Sequence, residues 1–175
     1  MDRGKDIVEE LKKAGIHYIV WLPCSEGHFL YDAILSDPEI KAIQVCREAE
    51  AIAICAGLHV GGKRGAVLAV INGVYEAGNI LNWAVDMEMP MLLLVGYAGY
   101  SRTKYPRLPA SQSYPRRRPK KNFAEPYLDA FGIPRYLLDS DEDVKKVAPA
   151  CEEAWNTHQP VALLITRADG YMAGT

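Results

Sequence analysis

The sequence has no long apolar run and few cysteines. Nothing in its 175 residues approaches the run of about 20 apolar residues that crosses a bilayer, and the first residues lack the apolar stretch of a secretion signal. The four cysteines form no C-x-x-C pair and no zinc-binding spacing, which excludes a disulfide scaffold and a zinc module. We therefore expect a cytoplasmic protein with reduced thiols and no membrane partner.

Acidic residues are absent from one stretch of the chain. Residues 89–124 contain no Asp or Glu but hold 8 of the 20 basic side chains, which leaves 12 basic against 22 acidic residues elsewhere, a formal charge of −10. An acidic body disfavours nucleic-acid binding, because nonspecific affinity depends on neutralising phosphates over a broad surface. We expect the long basic loop at 99–121 to meet an anionic small molecule or a neighbouring subunit. A solvated loop is the alternative.

Predicted helices alternate with short apolar strands along the whole chain. The spacing of apolar residues predicts helices at 4–14, 27–35, 47–60, 76–87, 122–131 and 142–155. Apolar, often β-branched runs predict strands at 18–22, 42–45, 66–71, 91–95, 136–138 and 161–165. These strands do not alternate between apolar and polar residues, so helices should cover both faces of the sheet. The sequence therefore predicts one doubly wound α/β domain, 1–175, with a mostly parallel six-stranded sheet.

Four segments follow the predicted strands directly and are candidate binding loops. They are residues 23–27, 47–50, 72–79 and 96–99. In an open parallel sheet, ligands bind outside the carboxyl ends of the strands. Glycines in the last two segments would let the backbone approach a ligand closely.

Two carboxylates begin the third predicted helix, which is otherwise small and apolar on every face. Such a helix should be deeply buried. The helix dipole accounts for acids in a first turn without any further function. At about 100° per residue, however, Glu48 and Glu50 cannot share a face, so at least one should point toward protein or ligand. A buried carboxyl group suits proton transfer near neutral pH, and position alone leaves both interpretations of Glu48 open.

Other catalytic signatures are missing. The chain has no G-x-S-x-G and no H-E-x-x-H, and its four histidines fall in four separate elements, so we expect no metal site in this chain alone. Cys24 follows a predicted strand near a helix start, a position that can lower the pKa of a thiol and make it nucleophilic. No histidine is placed to act as its base, which favours a packing role for Cys24.

Four stretches of the chain form a recognisable set. They read R-E-A-E-A-I-A-I-C-A-G from Arg47, then G-K-R-G-A-V-L-A-V, A-G-N-I-L-N-W and M-P-M-L-L-L-V-G. Together they resemble the pyrimidine-binding domain of thiamine diphosphate-dependent decarboxylases, in particular the sulfopyruvate and phosphonopyruvate decarboxylase family. The resemblance covers nearly the whole chain. Its strongest element is a glutamate nine residues before a glycine on a small-residue helix, which Glu48 and Gly57 match.

The resemblance implies roles for individual residues. The glutamate that matches Glu48 is catalytic in the family and hydrogen-bonds N1′ of the aminopyrimidine ring of thiamine diphosphate. The cofactor-binding residues it implies are Glu48, Pro23, Asn72, Gly73, Val74, Gly78 and Asn79. The substrate-binding residues it implies are Ser25, Asn72, Tyr75, Arg116 and Arg117. The implied reaction is decarboxylation of an acidic 2-oxo acid such as 3-sulfopyruvate or 3-phosphonopyruvate.

The chain also departs from the family in two places. Where alpha subunits of the family read something like N-S-G-L-G-N, this chain reads N-G-V-Y-E-A-G-N from Asn72, which alters a pocket wall. That change leaves open a non-catalytic binding or regulatory subunit of the same fold, or a thiamine diphosphate-dependent carboligase or lyase subunit.

The second departure is an absence. The chain lacks the G-D-G sequence and following Asn through which the family binds magnesium and diphosphate. The resemblance therefore implies a separate beta subunit that holds Mg²⁺ and the diphosphate. The implied assembly is a hetero-oligomer of at least two alpha and two beta chains.

Overall fold

A computed structural model of the protein describes residues 2–24, 26–97 and 123–166. Its strands are β1 (Ile16–Trp21), β2 (Lys41–Gln44), β3 (Arg64–Val70), β4 (Met91–Gly96), β5 (Arg135–Leu138) and β6 (Pro160–Ile165). Its α-helices are α1 (Arg3–Lys13), α2 (Tyr31–Ser36), α3 (Glu48–Val60), α4 (Ile71–Glu76), α5 (Gly78–Asp86), α6 (Ala124–Ala130) and α7 (Val147–Thr157). Short 3-10 helices, His28–Leu30 and Asp141–Lys146, precede α2 and α7. The basic loop predicted at 99–121 lies outside the described residues.

The six strands form one sheet in which all neighbouring strands are parallel. Their order is β2-β1-β3-β4-β6-β5. In the centre, Leu68 of β3 pairs with Leu94 of β4, which pairs in turn with Leu163 of β6. The chain leaves β1 in one direction to form β2 and then returns to form β3 on the other side. The doubly wound prediction is confirmed, and the strand order reverses between β1 and β3, where such sheets bind ligands.

Helices cover both faces of this sheet. On one face, α1 and α7 bury residues such as Ile7, Leu11 and Cys151 against the strands. On the other face, α3 and α5 bury Ile52 and Leu81. Strands β4 and β6 are buried along their whole length, which explains their uninterrupted apolar sequences. Within the described ranges, no helix is long and apolar enough to cross a membrane.

Arg64, the first residue of β3, fastens the amino edge of the sheet. Its Nη1 donates to the carbonyl of Ala14 at 2.9 Å and to Oε1 of Glu152 at 2.7 Å. Its guanidinium carbon lies 4.9 Å from the centre of the Trp155 ring. A planar guanidinium can bind a carbonyl oxygen, a carboxylate and an aromatic face at the same time. Since Ala14 ends α1 and Glu152 and Trp155 belong to α7, Arg64 joins these two helices.

Helix α6 is docked against the end of β4. Tyr97, which directly follows β4, is buried, and its hydroxyl donates to Oε1 of Glu125 at 2.7 Å. Ala124 and Leu128 of α6 are buried in the same core as α3 and α5. The position of α6 is therefore set by the sheet and by the core.

One segment differs from the sequence prediction. The strand predicted at 66–71 ends at Val70, and residues 71–76 form helix α4 where a loop was expected. Ile71 and Val74 of α4 are each 2% exposed. Their burial outweighs the loop-forming tendency of an Asn-Gly pair, because tertiary packing overrides weak local preferences.

Helix α3 is not covered on every side, so the prediction that it is deeply buried is wrong for this chain by itself. Its inner face is buried, but Ala53, Gly57 and Val60 are exposed, Val60 by 75%. Trp83 on the adjacent α5 is 41% exposed, and Met87, which directly follows α5, is 52% exposed. We call these five residues the α3–α5 outer face.

Candidate active site at the carboxyl edge of the sheet

Glu48 lies at the carboxyl edge of the sheet, directly over Gly73. It is the first residue of α3, and Arg47 precedes it as the N-cap in an extended conformation. The side chain of Glu48, from Cγ to Oε1, occupies the space in which residue 73 would carry a Cβ. Glu48 is half-buried, and no described residue hydrogen-bonds or ion-pairs with its carboxylate. A half-buried carboxylate that lacks a protein partner within the described ranges remains available to a ligand.

Glu50 has a different task from Glu48. It is exposed, and its Oε2 accepts hydrogen bonds from the backbone N–H of Cys46 at 2.9 Å and of Arg47 at 3.3 Å. Glu50 thereby forms the half of a capping box in which the carboxylate reaches back to the helix start, whereas the N-cap Arg47 has no side-chain acceptor for the other half. Structural capping therefore accounts for Glu50 and not for Glu48.

Helix α4 provides the surface that Glu48 faces. Buried Ile71 and Val74 anchor it, and Gly73 between them turns its bare Cα toward Glu48. Glycine inside a helix lowers stability by about 1 kcal/mol relative to alanine. The close approach of Glu48 explains why glycine is nevertheless found at position 73. At the other end of α4, Glu76 forms an ion pair with Arg47. Helix α4 thus contacts the start of α3 at two points.

The structure does not gather all the predicted cofactor-binding residues around Glu48. Asn72 is exposed, whereas the side chain of Val74 lies in the apolar core and does not face a ligand. Asn79 is exposed and lines a surface depression of about 440 Å³ on the outside of α3 and α5. Gly78 contacts Tyr127, because a Cβ at position 78 would lie 2.5 Å from the Tyr127 hydroxyl.

The predicted substrate-binding residues fall mostly outside the described part of the chain. This applies to Ser25, Arg116 and Arg117. Tyr75 is described, and its ring packs edge-on against Tyr127 with the ring centres 4.9 Å apart. The Tyr75 ring therefore joins α4 to the helix that carries Tyr127.

The segment after β1 is held by Tyr31. The Tyr31 hydroxyl donates to the carbonyl oxygen of Cys24 at 2.5 Å and accepts a hydrogen bond from the Cys24 backbone N–H. Burial raises the pKa of Tyr31 to about 12, so the phenol stays neutral and can serve as donor and acceptor. Pro23 is exposed at the start of the segment that this pair of bonds restrains.

Glu26 is a candidate site residue that the sequence analysis did not single out. Its Cβ lies over Gly96, at the carboxyl end of β4, where a Cβ at position 96 would come within 2.5 Å. Glu26 belongs to the segment after β1, so it reaches across β3 to the centre of the sheet edge. The only signal in the sequence is a glycine at the end of an apolar strand. That glycine indicates a close contact but not which residue makes it.

Cys24 lacks the features of a catalytic nucleophile. Burial raises the pKa of its thiol, and the carboxylate of Glu26 acts in the same direction. A nucleophilic cysteine needs the opposite environment, one that stabilises a thiolate. Across residues 2–24, 26–97 and 123–166, no three His, Cys, Asp or Glu side chains are grouped so that they could hold a metal ion.

Comparison with known proteins agrees with the fold. A parallel α/β domain with an available carboxylate at its carboxyl edge defines the class as a ligand-binding domain of the doubly wound kind. The model of the family "Thiamine pyrophosphate enzyme, N-terminal TPP binding domain" matches residues 1–131. The chain belongs to this family.

Its relatives include alpha subunits of a decarboxylase. The chain is 24% identical to sulfopyruvate decarboxylase subunit alpha of Methanococcus maripaludis, with 94% of this chain and 95% of that protein covered. It is 29% identical to the protein of the same name from Methanocaldococcus jannaschii, with 90% and 89% covered. It is also 32% identical to phosphonopyruvate decarboxylase of Streptomyces viridochromogenes, but over 49% of this chain and 21% of that protein.

Replacement of Gly73 by alanine should disturb the contact with Glu48. The added Cβ overlaps the Glu48 side chain, so we expect Gly73→Ala to lose about 1–3 kcal/mol of unfolding free energy in urea denaturation. Gly57→Ala is the matched control on α3, because a Cβ there meets nothing within 4 Å. The control should gain about 0.5–1 kcal/mol from helix propensity. Equal effects of the two substitutions would contradict the close packing of Glu48 on Gly73.

The cysteines should differ in their reactivity toward iodoacetamide. Burial raises the pKa of Cys55 to about 12 and that of Cys151 to about 11, whereas Cys46 is exposed. At pH 8 we expect Cys46 to be alkylated first and Cys24 about 10-fold or more slowly, with Cys55 and Cys151 protected until unfolding. Because the pKa of Cys24 is raised, its alkylation should still accelerate between pH 8 and 9. Peptide mass spectrometry measures each rate, and a Cys24 faster than Cys46 would indicate an activated thiol.

Proposed function

We propose that this chain is the alpha subunit of a thiamine diphosphate-dependent 2-oxo acid decarboxylase. Membership of the thiamine pyrophosphate enzyme family supports the cofactor. Relatives that match along nearly their whole length are named sulfopyruvate decarboxylase subunit alpha, which supports the reaction and the subunit. The observation that carries the proposal is the Glu48 carboxylate, which is half-buried over Gly73 and free of partners among the described residues.

The residues around Glu48 suit an aminopyrimidine ring. A ring nitrogen needs one hydrogen-bonding carboxyl group, which Glu48 presents, and the missing side chain at Gly73 leaves room for that carboxylate. The further residues that we assign to this half of the cofactor are Pro23, Asn72, Gly73, Val74, Gly78 and Asn79. When bound, thiamine diphosphate supplies the electron sink that a 2-oxo acid needs to lose carbon dioxide.

Glu48 itself would hold and return a proton. Its carboxylate lies over Gly73 with no partner among the described residues, so it can share a proton with a ring nitrogen of the cofactor. The capping box of Glu50 and the packing of α4 fix the backbone of Glu48, which leaves only its side chain to be oriented. The task of this chain is therefore to place one ionisable group.

The proposed substrate is a 2-oxo acid with a second anionic group. The names of the relatives indicate 3-sulfopyruvate or 3-phosphonopyruvate. The basic segment 99–121, with Arg116 and Arg117, would balance the added charge, and Ser25 and Tyr75 complete the assignment. Guanidinium groups bind sulfonates and phosphonates through paired N–H donors, which favours arginine for this role.

A partner chain should complete the site. We propose a separate beta subunit that holds Mg²⁺ and the diphosphate, in a hetero-oligomer with at least two alpha and two beta chains. The α3–α5 outer face supports a partner, because it leaves apolar residues exposed on the helix that begins with Glu48. A carboligase or lyase of the same fold would need the same partner and differ in product, whereas a non-catalytic subunit would bind the partner without turnover.

Glu48→Gln should abolish turnover and leave the fold intact. Glutamine keeps the shape of the side chain but cannot take up or release the proton, so we expect a loss of about 100-fold or more in kcat. Carbon dioxide release is measured with the complex of both subunits, thiamine diphosphate, Mg²⁺ and a panel of 2-oxo acids.

Glu50→Gln is the control for this experiment. Glutamine can accept the same two backbone hydrogen bonds, so this variant should retain turnover. Near-normal activity of Glu48→Gln would refute the proposed mechanism. A wild-type complex that assembles but releases no carbon dioxide from any substrate would favour the binding subunit.

Val60→Glu should prevent assembly with the partner. The change places a charge on the α3–α5 outer face at a position that is 75% exposed, so the chain itself should remain folded. Leu35→Glu is the matched control, since Leu35 is 62% exposed on α2. Light scattering after gel filtration should find that Val60→Glu weakens association by about 10-fold or more while the control assembles normally. Normal assembly of both variants would place the interface elsewhere.

A further inference from the structure

The side chain of Tyr127 on helix α6 contacts the junction of α4 and α5. Its hydroxyl donates toward the carbonyl oxygens of Val74 and Tyr75, at 3.2 Å each. The same hydroxyl lies 2.5 Å from the space that a Cβ of Gly78 would occupy. The phenol therefore fills the corner where the chain leaves α4 and enters α5.

The ring of Tyr127 is held independently of its hydroxyl. It packs edge-on against Tyr75, with ring centres 4.9 Å apart, and against Phe131 of the same segment, at 5.1 Å. Leu128, the next residue, is fully buried. Removal of the hydroxyl alone should thus leave the ring in place.

Helix α4 needs such support. It has six residues, includes Asn72 and Gly73, and lies far below the length at which a helix is stable by itself. A helix also leaves its last carbonyl groups without partners inside the helix, and the Tyr127 hydroxyl supplies a donor for two of them. Burial raises the pKa of Tyr127, so the hydroxyl keeps its proton.

The opposite face of α4 meets the start of α3. Gly73 lies against Glu48, and Glu76 pairs with Arg47. The ion pair is exposed and contributes little energy, so α4 is held by its buried Ile71 and Val74, by the packing of Gly73 and by the hydrogen bonds from Tyr127. A shift of α4 would remove the wall that orients the Glu48 side chain.

We propose that Tyr127 is a positioning residue for Glu48 and acts through the last turn of α4. The inference rests on the proposed function for its consequence in turnover, but its structural content concerns only α6, α4 and Glu48. It also gives the departure from the family at Val74 to Glu76 a purpose: these residues build a short helix that α6 can hold.

The test compares Tyr127→Phe with Tyr136→Phe. Tyr136 is a matched control, because its hydroxyl also donates a hydrogen bond, to Oε2 of Glu153 at 2.6 Å, on a surface away from Glu48. In the active complex we expect Tyr127→Phe to lower kcat about 5- to 10-fold with KM changed less than about two-fold, since misorientation affects chemistry more than binding. Tyr136→Phe should leave both constants unchanged.

A second measurement does not depend on activity. In the full chain with ¹³C-labelled glutamate, the Glu48 carboxyl resonance is identified by its loss in Glu48→Gln. Tyr127→Phe should move this resonance, and it should speed exchange of the Ala77 amide, which donates to the Gly73 carbonyl at 2.9 Å, by about 5-fold. Tyr136→Phe should change neither readout.

The outcomes separate the inference from the proposed function. If the wild-type complex is inactive but the resonance and the exchange rate change in Tyr127→Phe alone, the positioning role stands and the proposed function fails. If the wild type is active and Tyr127→Phe resembles Tyr136→Phe in kcat and in the Glu48 resonance, the positioning role is overturned. A lower melting temperature with an unchanged Glu48 resonance also overturns it, because Tyr127 then serves only stability.

Discussion

The contact between the Glu48 side chain and the bare Cα of Gly73 sets the geometry of the site. The contact joins the first turn of α3 to α4, although these helices follow different strands. The two helices can come this close only because residue 73 has no side chain. Three neighbouring features support this contact. The capping box fixes the helix start, buried Ile71 and Val74 seat α4, and Tyr127 supports the far side. An ionisable group is thereby presented without a partner among the described residues.

The parts of this arrangement differ in how far they can be predicted from sequence. The strands are recognisable because each is a short apolar run, and Glu48 stands out as a charge on a helix of small residues. Helix α4 is not recognisable, because six residues that include Asn72 and Gly73 become helical only through burial of Ile71 and Val74. Glu26 escapes for a related reason: its relation to Gly96 joins residues 70 positions apart and crosses an intervening strand.

The exposed side of α3 explains why an expectation of full burial fails for this chain by itself. A helix with small apolar residues on all sides is expected to be covered on all sides. The covering residues can belong to the same chain or to another chain. The described residues cover the inner side only, and Val60 and Trp83 remain open to solvent. The exposed side of α3 among the described residues is the side that the proposed partner chain would cover.

Arg64 holds the amino edge of the sheet, at the opposite end of β3 from the segment that carries Gly73. The fastening by Arg64 and the candidate active site thus lie at opposite ends of the same strands. Substitutions that change the loops after the strands need not weaken the fastening at the other edge, which gives a lineage of such proteins freedom to alter its substrate. The fold can in this way remain constant while selection explores new reactions.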